Sequence, residues 1–204
     1  MATEDIRFYE HSGIDPEATV SILYYLAKGD SRGGSTITQQ LAKNLFKTRR
    51  REKKGLLGKV PGLSTIITKS KEWIVSIKLE KAYTKQEIIT MYLNTVDFGL
   101  NSYGVKTAAR TFFNTSPDSL KIEEAALLIG MLKATSSYNP MRNYNKALER
   151  RNTVLSQMVK YKLLTTAQYK EISQKPIALN YRPQNTPNGV SDLSLIHISE
   201  PTRL

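Results

Sequence analysis

Residues 122–133 read IEEAALLIGMLK, two acids followed by an almost unbroken apolar run that Lys133 closes. The run falls short of the roughly 18 apolar residues of a membrane span. A helix that is apolar all round must instead be buried among other helices. This stretch therefore predicts a central helix, and the sequence on either side supplies its neighbours. Apolar residues recur at three- and four-residue spacing almost throughout, with few alternating stretches, so the expected fold class is mainly α.

Downstream, residues 147–160 predict a helix with Leu148, Val154, Leu155 and Met158 facing inward, and regular structure fades beyond Pro176. Upstream, residues 105–113 predict a short helix after a stretch punctuated by Gly99 and Gly104. Thr84 and Glu87 form a capping box that opens a helix ending near Tyr92–Asn94. A helix from about Lys69 to Lys81 carries Glu72 and is expected to pack through Trp73, Ile74 and Ile77. Residues 48–68 lose the pattern among bases, three glycines and Pro61 and read as a long loop or small flap. Residues 36–46 predict a helix capped by Thr36 with Gln39. Ile37, Leu41 and Leu45 make its apolar stripe, with Thr36, Gln40, Lys43 and Lys47 on another side. Residues 16–27 predict a first helix, with Val20, Leu23 and Tyr24 on a face.

A chain of 204 residues, 40% hydrophobic, is long enough for one substantial core. Thirty Lys and Arg against 18 Asp and Glu give a net charge of +12, which implies an anionic partner: nucleic acid, an anionic membrane surface or a phosphorylated substrate. The densest run is KTRRREKK at 47–54, which reads as readily as a plain solvated face or mobile loop as it does as contact with such an anion. The absence of cysteine excludes a disulfide framework, a thiolate metal site and a cysteine nucleophile. No signal-peptide pattern opens the chain, and its most functional-looking residues stand within a few positions of Met1, as in a fragment cut at both ends. Residues 193–204, LSLIHISEPTRL, continue no earlier pattern and resemble a translated sequencing adaptor, so His197 carries no functional weight.

Four short segments could carry chemistry. Glu4-Asp5, with His11 and Gly13 close behind, sets two carboxylates in a loop before a helix. A neighbouring charge and partial burial against Phe8 would raise a carboxyl pKa toward the range of a general base or acid. An acidic cap is the commoner meaning of such a pair. Gly33 to Lys43, GGSTITQQLAK, opens a helix with free N–H groups that could seat a phosphate, although Ser and Thr cap helices everywhere. Lys69 and Glu72 share a helix side, where the lysine could lower the acid's pKa or share an anionic ligand; a surface ion pair is the ordinary outcome. Arg150-Arg151 could clamp phosphate or merely start a solvated helix. Together they suit transfer of a sugar away from a diphosphate, with a base for the acceptor hydroxyl and cations for the leaving group.

The wording of these segments resembles the family 51 glycosyltransferases, the glycan-polymerising domains of class A penicillin-binding proteins and monofunctional peptidoglycan polymerases. EDIRFYEHSGID is similar to that family's first motif, GGSTITQQLAKNLF to its second, KSKEW to its third, and TKQEIITMYLNTVDFG and RRNTVL to its fourth and fifth, in order over residues 2–181. The resemblance implies a lysozyme-like helical domain over 1–181, with 48–68 as a membrane-facing flap, and a linker at 182–192 toward a downstream domain. It implies a peptidoglycan glycosyltransferase that polymerises lipid II into β-1,4 glycan with inversion. Glu4 would be the general base, and Glu72 would assist departure of the lipid pyrophosphate, directly or through a divalent ion. Asp5, His11, Ser35, Thr36, Gln40, Lys43, Lys69 and Asn94 would bind substrate, and Arg150 and Arg151 would be mainly structural.

The implied cofactor is a divalent cation, magnesium or manganese, with no certain protein metal site and no organic cofactor. Implied partners are lipid II and the growing glycan strand, an anionic membrane surface and other cell-wall synthesis proteins, and not nucleic acid. The implied place is the outer face of the cytoplasmic membrane. One departure is Thr68, where the family's third motif usually has arginine. Two other readings differ in what they need. A glycan-cleaving enzyme on a similar scaffold would need no phosphate seat, and a nucleic-acid module would interleave aromatics with bases.

Overall fold

The structure, a computed structural model, describes residues 3–17, 19–21, 34–46 and 63–183. Among them are seven labelled α-helices: α1 (Ile37–Phe46), α2 (Leu63–Ala82), α3 (Lys85–Thr95), α4 (Val105–Phe113), α5 (Ile122–Met131), α6 (Tyr144–Lys160) and α7 (Thr166–Gln174). A 3₁₀ turn at Pro117–Ser119 precedes α5, and residues 16–21 are helical where described. No strand occurs among the described residues; Asp97 and Tyr103 form an isolated antiparallel bridge. The expected mainly α class is borne out.

The apolar run at 122–133 has the position its composition demands. Leu127, Leu128 and Met131 of α5 enter the main core beside Phe8, Leu41, Ile88 and Phe112. Ala126 turns instead to a second cluster with Val154 and Leu155 of α6 and Ile172 of α7. One helix thus serves two apolar clusters, which is why no face of it could be polar. Each fully buried Leu contributes about 1.5–3 kcal/mol relative to exposure.

Several boundaries and faces differ from expectation. Helix α2 begins at Leu63, so residues 63–68 are helix rather than loop. Four β-branched residues in a row, Thr65 to Thr68, are weak helix formers and hide this first turn. The buried face of α2 is not the one carrying Ile74 and Ile77, which are exposed; Glu72, Ser76 and Leu79 point inward. Val20 and Leu45 are likewise exposed. Helix α7 was not anticipated, although Thr165 and Gln168 form a capping box ahead of it. The expected box at 84–87 is present in full. Leu23, Tyr24, Lys47, the flap residues 48–62, the linker from 184 onward and the tail at 193–204 lie outside the described residues.

Candidate active site

Residues 3–15 form a turn-rich segment laid against α1, α2 and α3, and polar bonds hold it there. Arg7 binds Asp15 with two nitrogens, Nη2 to Oδ1 at 2.7 Å and Nε to Oδ2 at 3.1 Å. It also pairs with Glu17. Lys85 at the start of α3 donates to the His11 carbonyl at 2.6 Å and to Glu80 Oε1 at 2.8 Å, and lies 4.5 Å from the centre of the buried Phe8 ring. Thr38 donates to the same Glu80 oxygen at 2.6 Å, which joins α1 to α2.

The adjacent acids Glu4 and Asp5 have different fates. Asp5 is buried, and its Oδ2 accepts the Ile37 N–H at 2.9 Å. One of the free donors expected to seat a substrate phosphate at this helix start, the Ile37 N–H, therefore already holds a carboxylate of the protein, the favourable arrangement for an anion at a positive dipole end. Asp5 also accepts from His11 Nε2 at 3.0 Å, while His11 Nδ1 accepts the Gly13 N–H at 3.2 Å. Together these fix a neutral imidazole with its proton on Nε2. Thr36 Oγ1 accepts from Gln39 N–H, as a cap should, but the Gln39 side chain does not return to close the box. Gln39 Nε2 and Thr36 Oγ1 both donate to the Gly13 carbonyl, at 3.2 and 2.8 Å. Gly13 has φ 91°, and a Cβ there would stand 2.9 Å from the backbone of Ser76 on α2. Only glycine fits that approach.

Glu4 lines a cleft of about 310 Å³ with Thr3, Asp5, Ser35 and Thr36. Burial pushes its carboxyl above the ordinary carboxylate value, with Arg150 and then Lys133 pulling it back. Desolvation, rather than the neighbouring Asp5 charge, is the leading cause. Arg150 of α6 donates to Glu4 Oε1 at 3.2 Å. Ser35, in the same lining, accepts from Lys69 Nζ at 2.7 Å, and the same ammonium donates to Glu72 Oε2 at 2.7 Å. The Lys69–Glu72 pair is not the ordinary surface bridge, since the Glu72 side chain is 1% exposed. Gln40, one turn along α1 from Thr36, accepts from the buried Tyr92 hydroxyl at 3.0 Å. Burial, and secondarily the Glu4 charge, pushes the Tyr92 hydroxyl well up.

The fold therefore gathers Glu4, Asp5, His11, Ser35, Thr36, Gln40, Lys69 and Glu72 around one cleft and its immediate supports. Lys43 is exposed on α1, and Asn94 is exposed on α3. Asn94 follows Tyr92 by two helical positions, about 200° around the axis, so the two residues face opposite ways. Thr68 sits half-buried on α2 just ahead of Lys69.

One residue beside the cleft, Tyr92, is legible in the sequence only as part of a helix end. Arg150 and Arg151 look alike in sequence, yet adjacent helical residues point about 100° apart and cannot share one role. Arg151 is buried and donates to the Ser173 and Ile172 carbonyls at the end of α7, at 3.1 and 3.5 Å. Its burial lowers the guanidinium pKa. Arg151 thus ties α6 to the end of α7, whereas Arg150 reaches Glu4 in the cleft.

A resident divalent ion needs several converging oxygen donors. No group of three His, Cys, Asp or Glu converges among the described residues, and the Glu72 oxygen is held by an ammonium that a cation would have to displace. The described residues thus offer no donor set that fits a protein-held ion. No helix among the described residues is long and apolar enough to cross a membrane.

A family model described as Transglycosylase matches residues 1–159. Penicillin-binding protein 1A of Aquifex aeolicus is 42% identical over 181 residues, 88% of this chain and 23% of that protein. Penicillin-binding protein 1A of Haemophilus influenzae is 39% identical over 183 residues, 89% of this chain and 20% of that protein. A crystal structure of the latter protein matches 49% of this chain and 15% of that chain, at TM-score 0.47 and 39% identity. This chain thus spans about a fifth of the length of these relatives. The family match and the order of the motifs agree: the chain belongs to the transglycosylase family found in class A penicillin-binding proteins.

Proposed function

We propose that this chain is a peptidoglycan glycosyltransferase, on a lysozyme-like scaffold, that polymerises lipid II into β-1,4 glycan. The observation that supports the reading is the cleft itself, lined by the half-buried carboxylate of Glu4 and by Ser35, behind which Lys69 and Glu72 follow in a hydrogen-bonded chain. In this reading Glu4 accepts the proton of the acceptor sugar's 4-hydroxyl, and the freed oxygen pair forms the new bond to the donor's anomeric carbon. The bond from that carbon to the lipid pyrophosphate breaks on the opposite face, its electron pair leaves with the phosphate, and the configuration inverts. Lys69 meets the growing phosphate charge, and Glu72 assists departure by holding that ammonium in place. Ser35 and Gln40 add polar contacts at the rim, and Lys43 and Asn94 reach the longer parts of the substrate. A magnesium or manganese ion enters, in this proposal, as a companion of the substrate's phosphates.

The outer membrane-facing surface of the fold has a candidate in α2. This helix exposes Ile67, Ile74 and Ile77 beside exposed Lys71, Lys78 and Lys81, an apolar and basic mixture suited to an anionic lipid surface. The proposed location is accordingly the outer face of the cytoplasmic membrane, among other cell-wall synthesis proteins. The decisive experiment incubates the chain with labelled lipid II, detergent and a divalent ion and looks for polymer on gels. Polymer that forms equally well with both Glu4→Gln and Glu72→Gln would overturn the assigned roles. Failure to form any polymer by a folded protein carrying its native flanking sequence would overturn the activity.

A further inference from the structure

A base buried in a cleft has a conflict built into it. Burial favours the neutral acid, yet a base must stand ready as the carboxylate. Among the described residues, the groups that face Glu4 are Arg150 from α6, Lys133 beyond the end of α5 and Tyr92 from α3. Of these, Arg150 is the cation that touches it, Nη2 to Oε1 at 3.2 Å, with the two side chains 11% and 15% exposed.

Arg150 is itself held from three sides. Its Nε donates to the Gly130 carbonyl of α5 at 3.4 Å, and its guanidinium carbon lies 5.9 Å from the centre of the Tyr138 ring. Its stem passes so close to Gly130 that a Cβ there would stand 3.1 Å from Arg150 Cγ. A guanidinium does not give up its proton in the working pH range, so it can neutralise Glu4 without competing for the proton that Glu4 must take. We propose that Arg150, aimed by Gly130 and Tyr138, is the positioning residue of this site: it ties down Glu4 Oε1, keeps Glu4 charged despite its burial and leaves Oε2 to receive the acceptor's proton. This inference rests on the reading of Glu4 as the base and assigns its control to α6.

The test combines two measurements on the chain. The first is kcat/KM for lipid II polymerisation against pH. The second is a carbon-13 titration of the glutamate carboxyls, with the Glu4 signal identified by its loss in Glu4→Gln. Arg150→Gln is expected to move the acidic limb of kcat/KM upward by about one pH unit, a loss of about tenfold on the acid side that recovers as pH rises. The Glu4 carboxyl signal should titrate at correspondingly higher pH, and Arg150→Lys should restore part of both effects. Gly130→Ala keeps every charge and puts a better helix former into α5, while its Cβ presses on Arg150 Cγ and displaces it; its urea midpoint is measured alongside. This variant should show the same shift, smaller. A loss that is uniform across pH, with the Glu4 titration unmoved in Arg150→Gln and Gly130→Ala, overturns the proposal. A Glu4 titration that moves while the acidic limb stays in place removes Glu4 as the base and leaves the coupling of Arg150 to Glu4 standing.

Discussion

The body formed by α5, α6 and α7 and the segment of residues 3–15 are held by different forces. In the body, Leu127 and Leu128 are buried in one apolar cluster and Val154 and Leu155 in the other, and the attraction is non-directional. In the segment, Asp5, His11, Arg7 and Gly13 are fixed to their neighbours by hydrogen bonds of defined direction. Apolar burial supplies stability and tolerates modest change in shape. Directional polar bonds supply less net energy but set positions closely enough for chemistry, because buried donors and acceptors must be matched one by one. The acids that matter, Glu4 and Glu72, belong to this second kind of architecture, even though the residues around it are packed as core.

Mutations can break this contrast from either side. The largest effect should come from the site, where Glu4→Gln or Glu72→Gln is expected to lower the polymerisation rate by about 10²–10⁴-fold while the unfolding midpoint in urea stays in the native range. In the body, Leu128→Ala should cost about 2–5 kcal/mol in the same urea experiment. The rate per folded molecule should be unchanged, and a comparable loss of rate would mean that the two regions are not separable. Asp5→Ala leaves the His11 Nε2–H and the Ile37 N–H without their acceptor, for on the order of 1–3 kcal/mol. Unlike the core change, it should also remove most of the polymerising activity, since it frees the loop that carries Glu4.

The smallest effect is one of sign. Burial raises the Glu4 carboxyl above 4.5, so the folded protein holds this proton more tightly than the unfolded chain does. The stability this proton gives is complete below about 4.5 and is lost as pH rises through the elevated value. Glu4→Gln cannot titrate. Its stability relative to the parent should therefore increase as pH is raised across that window, read from paired urea midpoints. A flat difference would show that the carboxyl is not held in a desolvated place.

What was legible in the sequence follows the same division. The apolar run at 122–133 announced its burial because no polar face competed for it. The box at Thr84 and Glu87 was equally plain, because both partners lie within one turn. Helix α2 misled because its inward face carries Glu72 and Ser76, so its visible hydrophobes Ile74 and Ile77 mark the solvent side. Periodicity locates the buried face only where that face is apolar. Thr36 and Gln39 were recognised as a cap, but the partner that diverts Gln39 lies 26 positions away at Gly13, beyond any local rule. Arg150 was separated from Arg151 only by the packing of α5 and α7 on either side of α6.

The close approach of Gly13 to Ser76 has a geometric consequence. Ser76 stands one turn beyond Glu72 on α2, and its hydroxyl donates to the Glu72 carbonyl at 2.6 Å. The same glycine anchors the start of α1 through Thr36 and the loop of Asp5 through His11. The seating of α2 against the segment of residues 3–15 is thus gauged by an atom that is missing. A single carbon added at position 13 would act as a shim, prising α2, with Glu72 on it, away from the loop that carries Asp5.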